Sequence, residues 1–516
     1  MDAIAVLFGG ALRESAFEEL ESGKNAFGLT LECAAALDNV SKVVLLVNED
    51  FDEGRIPGFI EHIELIKKPA WTTKSFFETL SAAAADFDFI YYAWADTPLL
   101  DGGLAAALVA RMNRFAAEYA YADGWPDGLA PELLLPSTIA FLARLNGDAE
   151  LPIERQTVFN VLQKDINSFD IETEIAPVDL RNHRLNLAAD SKRNLLLIKR
   201  LRNAPWSDYR CAEKVLGEKP SLLRTLPAFF PVMVASRCPQ RCSFCPYDGS
   251  TERPVEFMAL KNFESVLDKI VGFAGDGVID LSLWGEFALH PEKEQLIEAV
   301  LARRELSLII ETCGLGWDAP LLDRLASSAS TAAARENGMA PLSWIVSLDA
   351  AAPSRYRTLH GEGFEEATAL VTTLLRLFPG AVYVQAIRVR DAEDDIEQFY
   401  RFWTEAGAKV IIQKYDDFCG MCAQLRAGDI SPIIRNPCWH LMRDMPILID
   451  GTVAACRTAS LGVMSSEKGM IQALGNIFTE EPGVIWERGT ERYHEHCEGR
   501  WTTLCGQCDE YYTYNF

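Results

Sequence analysis

Positive charge and long apolar runs are what this chain is short of. Against 74 Asp and Glu it carries 49 Lys and Arg, a formal charge of −25, which offers no broad cationic surface to nucleic acid or anionic lipid. No apolar stretch approaches the roughly 18–20 residues that cross a bilayer, and Met1-Asp2 opens without the basic segment of a secretory signal. The expectation is a soluble cytoplasmic protein with no nucleic-acid or membrane partner. Internal repeats and low-complexity tracts are missing as well, which excludes solenoids and collagen-like chains. Cysteine is scarce in the first 230 residues, where only Cys33 and Cys211 occur, whereas eleven of the 13 lie from Cys238 onward. In a reducing compartment such clustering points to metal or redox chemistry rather than disulfides.

What is present suits a multidomain globular protein. The 516 residues are 49% apolar, enough for real cores and for about three domains. A strand at 4–8, the Gly9-Gly10 turn, a helix near 30–37 and a strand at 42–47 make an α/β start. An apolar run at 89–93 then ends in Asp96-Thr97-Pro98, and a helix fits 104–117. Residues 1–203 form the first predicted domain and 204–228, with three prolines, a linker. From Pro231 onward strands and helices alternate. Strands are predicted at 232–235, 278–283, 306–311, 344–348, 382–387 and 409–413, with helices around Phe263 to Ile270 and at 292–303, 365–377 and 396–405. Six such units make an open parallel barrel over 229–430, whose chemistry is expected at the C-terminal ends of the strands.

Directly after the first of those strands stands Cys238-Pro-Gln-Arg-Cys242-Ser-Phe-Cys245. A cubane cluster takes four ligands, so three converging thiolates leave one iron open. Zinc is the alternative, but a compact zinc site pairs C-x2-4-C with a second ligand pair, which this loop lacks nearby. The Cys-x3-Cys-x2-Cys spacing, with an aromatic before the last Cys, resembles the radical S-adenosylmethionine (radical SAM) superfamily. That resemblance implies a 4Fe-4S cluster on Cys238, Cys242 and Cys245, S-adenosylmethionine chelating its fourth iron, and a 5′-deoxyadenosyl radical that abstracts hydrogen from substrate. It implies further that Trp284-Gly285-Glu286 receives the methionine amino group and that Ser347-Leu348-Asp349 approaches the ribose or methionine carboxylate. Phe244 would flank the adenine. Thr312 stands where relatives carry Thr-Asn-Gly, with Cys313 as a departure. His360, in His-Gly-x-Gly-Phe, is expected to be a solvated loop residue.

The C-terminal cysteines form two half-sites: Cys438, twelve residues, Gly451, four residues, Cys456, and then Cys505-Gly-Gln-Cys508. Ile447 to Ala454 reads as a hairpin with an Asp-Gly turn that brings Cys438 and Cys456 together. Residues 431–516 resemble the SPASM/twitch extension of radical SAM enzymes. The resemblance implies one auxiliary 4Fe-4S cluster on Cys438, Cys456, Cys505 and Cys508. Cys419, Cys422 and Cys497 receive no role.

Leu7-Phe8-Gly9-Gly10-Ala11-Leu12-Arg13, Lys24 and Asp96 resemble a nucleotidyltransferase-like (GT-A-like) domain, in which backbone amides and cations would meet phosphates and Asp96 a divalent metal. A degenerate binding or docking domain is the expectation here. The whole order resembles that of spiro-SPASM proteins. The fold class is therefore α/β: a GT-A-like domain, a partial (βα)6 radical SAM barrel and a small Cys-rich extension. The expected activity is hydrogen abstraction from a substrate, a peptide or protein side chain being the favoured class, with electrons from a flavodoxin- or ferredoxin-type donor. Two other readings stand beside it: nucleotidyl or glycosyl transfer by the first domain, and a non-enzymatic iron-sulfur sensor or scaffold.

Overall fold

The structure, a computed structural model, describes residues 2–21, 23–58, 63–247, 255–428, 435–464 and 472–509. The expected border at 430/431 lies outside them. The chain divides into two compact units, Met1–Thr225 and Leu226–Phe516. It is α/β with parallel sheets, and among the described residues no helix is long and apolar enough to cross a membrane.

The first unit is built on a seven-stranded sheet. Its strands are β1 (Ala3–Phe8), β2 (Val40–Asn48), β3 (Ile63–Lys68), β4 (Phe89–Trp94), β5 (Tyr119–Asp123), β6 (Glu132–Leu134) and β7 (Ile171–Ile175). Their spatial order is β3-β2-β1-β4-β6-β5-β7, with β6 antiparallel to its neighbours. Every residue of β1 is buried, which explains its unbroken apolar run: a central parallel strand is covered on both faces. The first helix, Ala26–Ala35, begins earlier than its apolar pattern suggests because Asn25 caps it, accepting the Gly28 amide at 2.8 Å.

The second unit holds six parallel strands in sequence order: β8 (Phe229–Pro231), β9 (Gly277–Asp280), β10 (Leu306–Thr312), β11 (Leu342–Ser347), β12 (Val382–Arg388) and β13 (Lys409–Lys414). Between them run helices Leu260–Ala274, Lys293–Leu301, Ala319–Thr331, Phe364–Leu377 and Glu393–Glu405. The helix Leu260–Ala274 turns Phe263, Val266, Leu267, Ile270 and Ala274 inward, where each large side chain contributes roughly 1.5–3 kcal/mol by burial. The first strand, expected at 232–235, is instead Phe229–Pro231, and the expected segment forms only isolated bridges at Val232 and Ala235. There the chain stays extended but changes partners, Val232 N–H going to Asp280 O at 2.7 Å and Met233 N–H to Ile447 O at 2.9 Å. The latter belongs to a segment of the tail laid along the open edge of β8, with Met445 N–H on Phe229 O and Ile447 N–H on Pro231 O at 2.8 Å. The helix Ala319–Thr331 was not anticipated, although Asp318 as its cap and Pro320 in its first turn announce it.

Candidate functional site

The loop after residue 235 carries Cys238, Cys242 and Cys245 to the C-terminal ends of the strands. It is pinned there: Arg241 N–H donates to His360 O at 3.2 Å, Ser243 N–H to Leu359 O at 2.8 Å, and Gln240 Nε2 to Tyr356 Oη at 3.1 Å and Glu362 O at 2.8 Å. All three cysteines line one cavity of about 430 Å3 together with Phe244, Gly285, Glu286 and Thr312. They stand around a space rather than a point: among the described residues no three His, Cys, Asp or Glu side chains converge as ligands of one ion. Burial pushes the Cys242 and Cys245 thiols up, whereas the Cys313 thiol, donating to Cys238, pulls that group down.

Gly285 and Glu286 follow from local backbone demands. Gly285 has φ 77°, and a Cβ there would stand 2.1 Å from the Ala235 carbonyl oxygen, so only glycine fits. The neighbouring Trp284 keeps a negative φ; its indole donates to Ser460 Oγ at 2.7 Å. Glu286, 3% exposed, accepts from Thr312 Oγ1 (2.7 Å), Cys313 N–H (2.8 Å) and Ala288 N–H (3.1 Å). The Cys313 side chain is a further hydrogen-bond partner of this carboxylate, which lines the cavity. Burial raises its pKa above the usual carboxylate value, against the pull of these bonds.

Ser347 ends β11 and lines the cavity; Asp349 does not. With φ 57° Asp349 turns its carboxylate onto His360, Oδ2 to Nε2 at 2.7 Å, and onto the Ile387 amide. His360 corrects the sequence-based expectation. It is 1% exposed, its Nδ1 lies 3.1 Å from Cys242 Sγ, Tyr356 stacks on it at 4.6 Å and Phe244 meets it edge-on at 5.3 Å. Nothing in the spacing of a single His announced this; its partners come from other elements.

The same cavity is lined by Cys438, Cys456, Cys505 and Cys508. Cys438 stands at the start of the short helix Trp439–Arg443, and Cys456 follows the hairpin, in which Ile447 bridges Val453 and Gly451 turns at φ 82° where a Cβ would strike Phe478. Cys505 lies within the short helix Thr503–Gln507 and Cys508 directly follows it. Burial raises Cys438 and Cys456, with the other thiols of the group adding to it. Cys419, left without a role by its spacing, is hydrogen-bonded to Cys508, and the Cys245 thiol acts on Cys422. Four soft thiols in one group fit an iron-sulfur cluster, as do the three of the loop with one side open.

Sequence reasoning missed the barrel's lumen. Alternate residues of adjacent strands face it, and among them are Asp280 on β9, Glu311 on β10 and Gln385 on β12. Gln385 Nε2 donates to Glu311 Oε1 at 2.8 Å and, more loosely, to Ser347 Oγ at 3.4 Å. Asp280 takes a hydrogen bond from Ser282, and burial, with the Glu311 charge adding to it, pushes its carboxyl up to about 7. The signal was the period-two alternation of each strand, read for the core and not for polar exceptions.

In the first unit Asp96 stands at the end of β4 but not as a vacant carboxylate. Arg155 grips it through two bonds (3.1 and 2.6 Å), reaches Asp190 at 3.1 Å and lies over the Trp94 ring at 4.5 Å. A guanidinium thus occupies the position a divalent ion would need. Gly10 has a packing reason, since a Cβ would strike Phe8 and Trp71 at 2.7 Å, and Lys24 is bonded to Glu32 at 2.8 Å.

Fold and site together define an α/β protein whose parallel half-barrel opens onto two groups of cysteines. The chain is 35% identical over 377 residues to an uncharacterized protein of Treponema pallidum (strain Nichols), covering 70% of this chain and 98% of that one, and it belongs to that protein's family. No family model matches the sequence. Among solved structures, BtrN in complex with AdoMet and 2-DOIA aligns at 17% identity and a TM-score of 0.36, over 55% of this chain and 94% of that one. Streptococcus suis SuiB bound to precursor peptide SuiA aligns at 13% identity and 0.40, over 69% and 82%.

Proposed function

We propose that the second unit is a radical SAM enzyme of the SPASM/twitch type, and that the first is a binding or docking domain. Cys238, Cys242 and Cys245 would hold a 4Fe-4S cluster, and Cys438, Cys456, Cys505 and Cys508 an auxiliary one. When bound, the first cluster and S-adenosylmethionine supply reductive carbon-sulfur cleavage and a carbon radical that takes hydrogen from substrate. The chain's own residues prepare the place. Thr312, the amides of Ala288 and Cys313 and the Cys313 side chain aim the Glu286 carboxylate, whose negative charge suits the methionine ammonium. Gly285 lets that turn pass under the Ala235 carbonyl. Phe244 offers a face to the adenine and, with His360, keeps water from Cys242. Asp349 orients His360, and Ser347 offers a hydroxyl to the ribose. A peptide or protein side chain is the favoured substrate, with a flavodoxin- or ferredoxin-type donor in the cytoplasm.

The observation that carries this reading is the sharing of one cavity by three loop thiols and a buried carboxylate. Arg155 on Asp96 speaks against metal-dependent transfer in the first unit. Anaerobic reconstitution with iron and sulfide counts tests it, comparing wild type with a variant carrying Ala at Cys238, Cys242 and Cys245. The variant should lose one cluster's worth of iron and all reductant-dependent formation of 5′-deoxyadenosine. Unchanged iron, or wild type that forms none, overturns the proposal.

A further inference from the structure

A parallel barrel normally fills its lumen with Val, Ile and Leu, yet here the wall of the cavity below the cysteines carries two carboxyl groups and an amide. Four isoleucines, Ile309, Ile345, Ile387 and Ile411, line the same space, with Ser282, Ser347 and Gln413 among the polar residues of its wall. In it Gln385, 2% exposed, leaves its Oε1 without a hydrogen-bond partner among the described residues. That assignment of the amide is fixed by Glu311, which can only accept and therefore takes the Nε2 end at 2.8 Å. The orphaned oxygen is an acceptor held inside the cavity, and a buried acceptor left unmet is costly.

The carboxylates make the same demand. Among the described residues neither Glu311 nor Asp280 forms an ion pair, while cations on the cavity wall are engaged elsewhere: Lys414 with Asp509 at 3.3 Å, Arg443 with Asp444, and Arg435 with the Cys505 carbonyl at 2.5 Å. Arg457 lies over the Trp284 ring at 4.9 Å. Two acids and an amide oxygen thus face one space, where Asp280 feels Arg457 only at a distance and no cation among the described residues is paired with either acid. A ligand that completes it must bring positive charge and several N–H groups at one point. An ammonium has three donors and no acceptor, one for each of the three groups.

We infer that the barrel lumen is a subsite for a primary ammonium, carried either by a peptidyl lysine or by a small amine, with Glu311 as its counter-ion, Gln385 Oε1 as a fixed acceptor and Asp280 as the deeper carboxylate. This deepens the radical SAM reading by naming the substrate's head group, and it rests on that reading for its place beside the cofactor. The binding itself needs only the lumen.

The experiment uses the full chain, with and without reconstituted clusters, and reads saturable binding by calorimetry. The probes are n-butylamine against 1-butanol, and an acetylated, amidated Ala-Ala-Lys-Ala-Ala peptide against its norleucine counterpart. The amine of at least one pair should bind and its neutral partner should not. Glu311→Gln and Gln385→Leu should each weaken the amine about tenfold or more, at an unchanged circular dichroism spectrum and unchanged S-adenosylmethionine affinity by dialysis. Preference for the lysine peptide identifies a peptidyl substrate, and preference for butylamine a small one. Equal binding of charged and neutral probes, or no binding by either, overturns the inference while leaving cluster loading and cofactor cleavage intact. A loss of S-adenosylmethionine affinity in Glu311→Gln with amine binding retained also overturns it, since the acceptors would then serve the ribose. If clusters fail to load but the amine still binds, the radical SAM reading falls and the subsite stands.

Discussion

Asp280 shows how one residue can work against the fold that holds it. Its carboxyl titrates near 7 in the folded chain against 3.8 for an unperturbed group, because burial disfavours the charge and Glu311 and Asp444 repel it, while Ser282 and Arg457 act in the other direction. Asp444 is itself answered by Arg443 and His440. The folded state binds the extra proton between those two values, so stability falls as pH rises from about 4 through about 7 and stays reduced above. Asp280→Asn in the cluster-free protein should gain up to about 4 kcal/mol over wild type at pH 8, and about a third of that at pH 5, by urea unfolding. A difference that does not vary with pH would contradict the assignment. This residue was illegible in the sequence, where an acid at a strand end looks like any surface acid. Cys238, Cys242, Cys245 and Glu286 were legible because their spacing is local. His360 was not, since Cys242 and Asp349 reach it from separate segments, and only Tyr356, one turn earlier on the helix it caps, is local.

At the scale of elements, the six barrel strands were legible from their apolar runs. Their ends were not, because a ladder stops where partners change and not where hydrophobicity does. The run at 229–235 is the example: three residues pair with β9, and the following ones are shared with the tail. That edge pairing positions the hairpin that lies between Cys438 and Cys456. Ile447→Pro deletes the donor to Pro231 O and should loosen the hairpin by about 3 kcal/mol. The expected result is loss of the auxiliary share of iron, with the loop's share and 5′-deoxyadenosine formation reduced less. Equal loss at both sites would show that the edge pairing holds the whole barrel.

For the whole molecule, both cysteine groups lie in one of two compact units. In the first, Arg155 neutralises Asp96 and Asp190 at once, so removing it leaves two carboxylates facing a common point. Arg155→Met should cost about 3–5 kcal/mol, and millimolar Mn2+ should restore part of the melting temperature of the variant while leaving wild type unmoved. A Mn2+ shift of equal size in both would show that the ion binds elsewhere. The glycine turn and the acid were readable in the sequence; the arginine that answers the acid, 59 residues away, was not.

Both cysteine groups open onto a single void. Dioxygen or an alkylating reagent admitted to it meets eight cysteine sulfurs, Cys313 included, and an occupant bulky enough to fill it shields all of them together. Inactivation and protection of the two groups are therefore tied to the same event, the filling of one space.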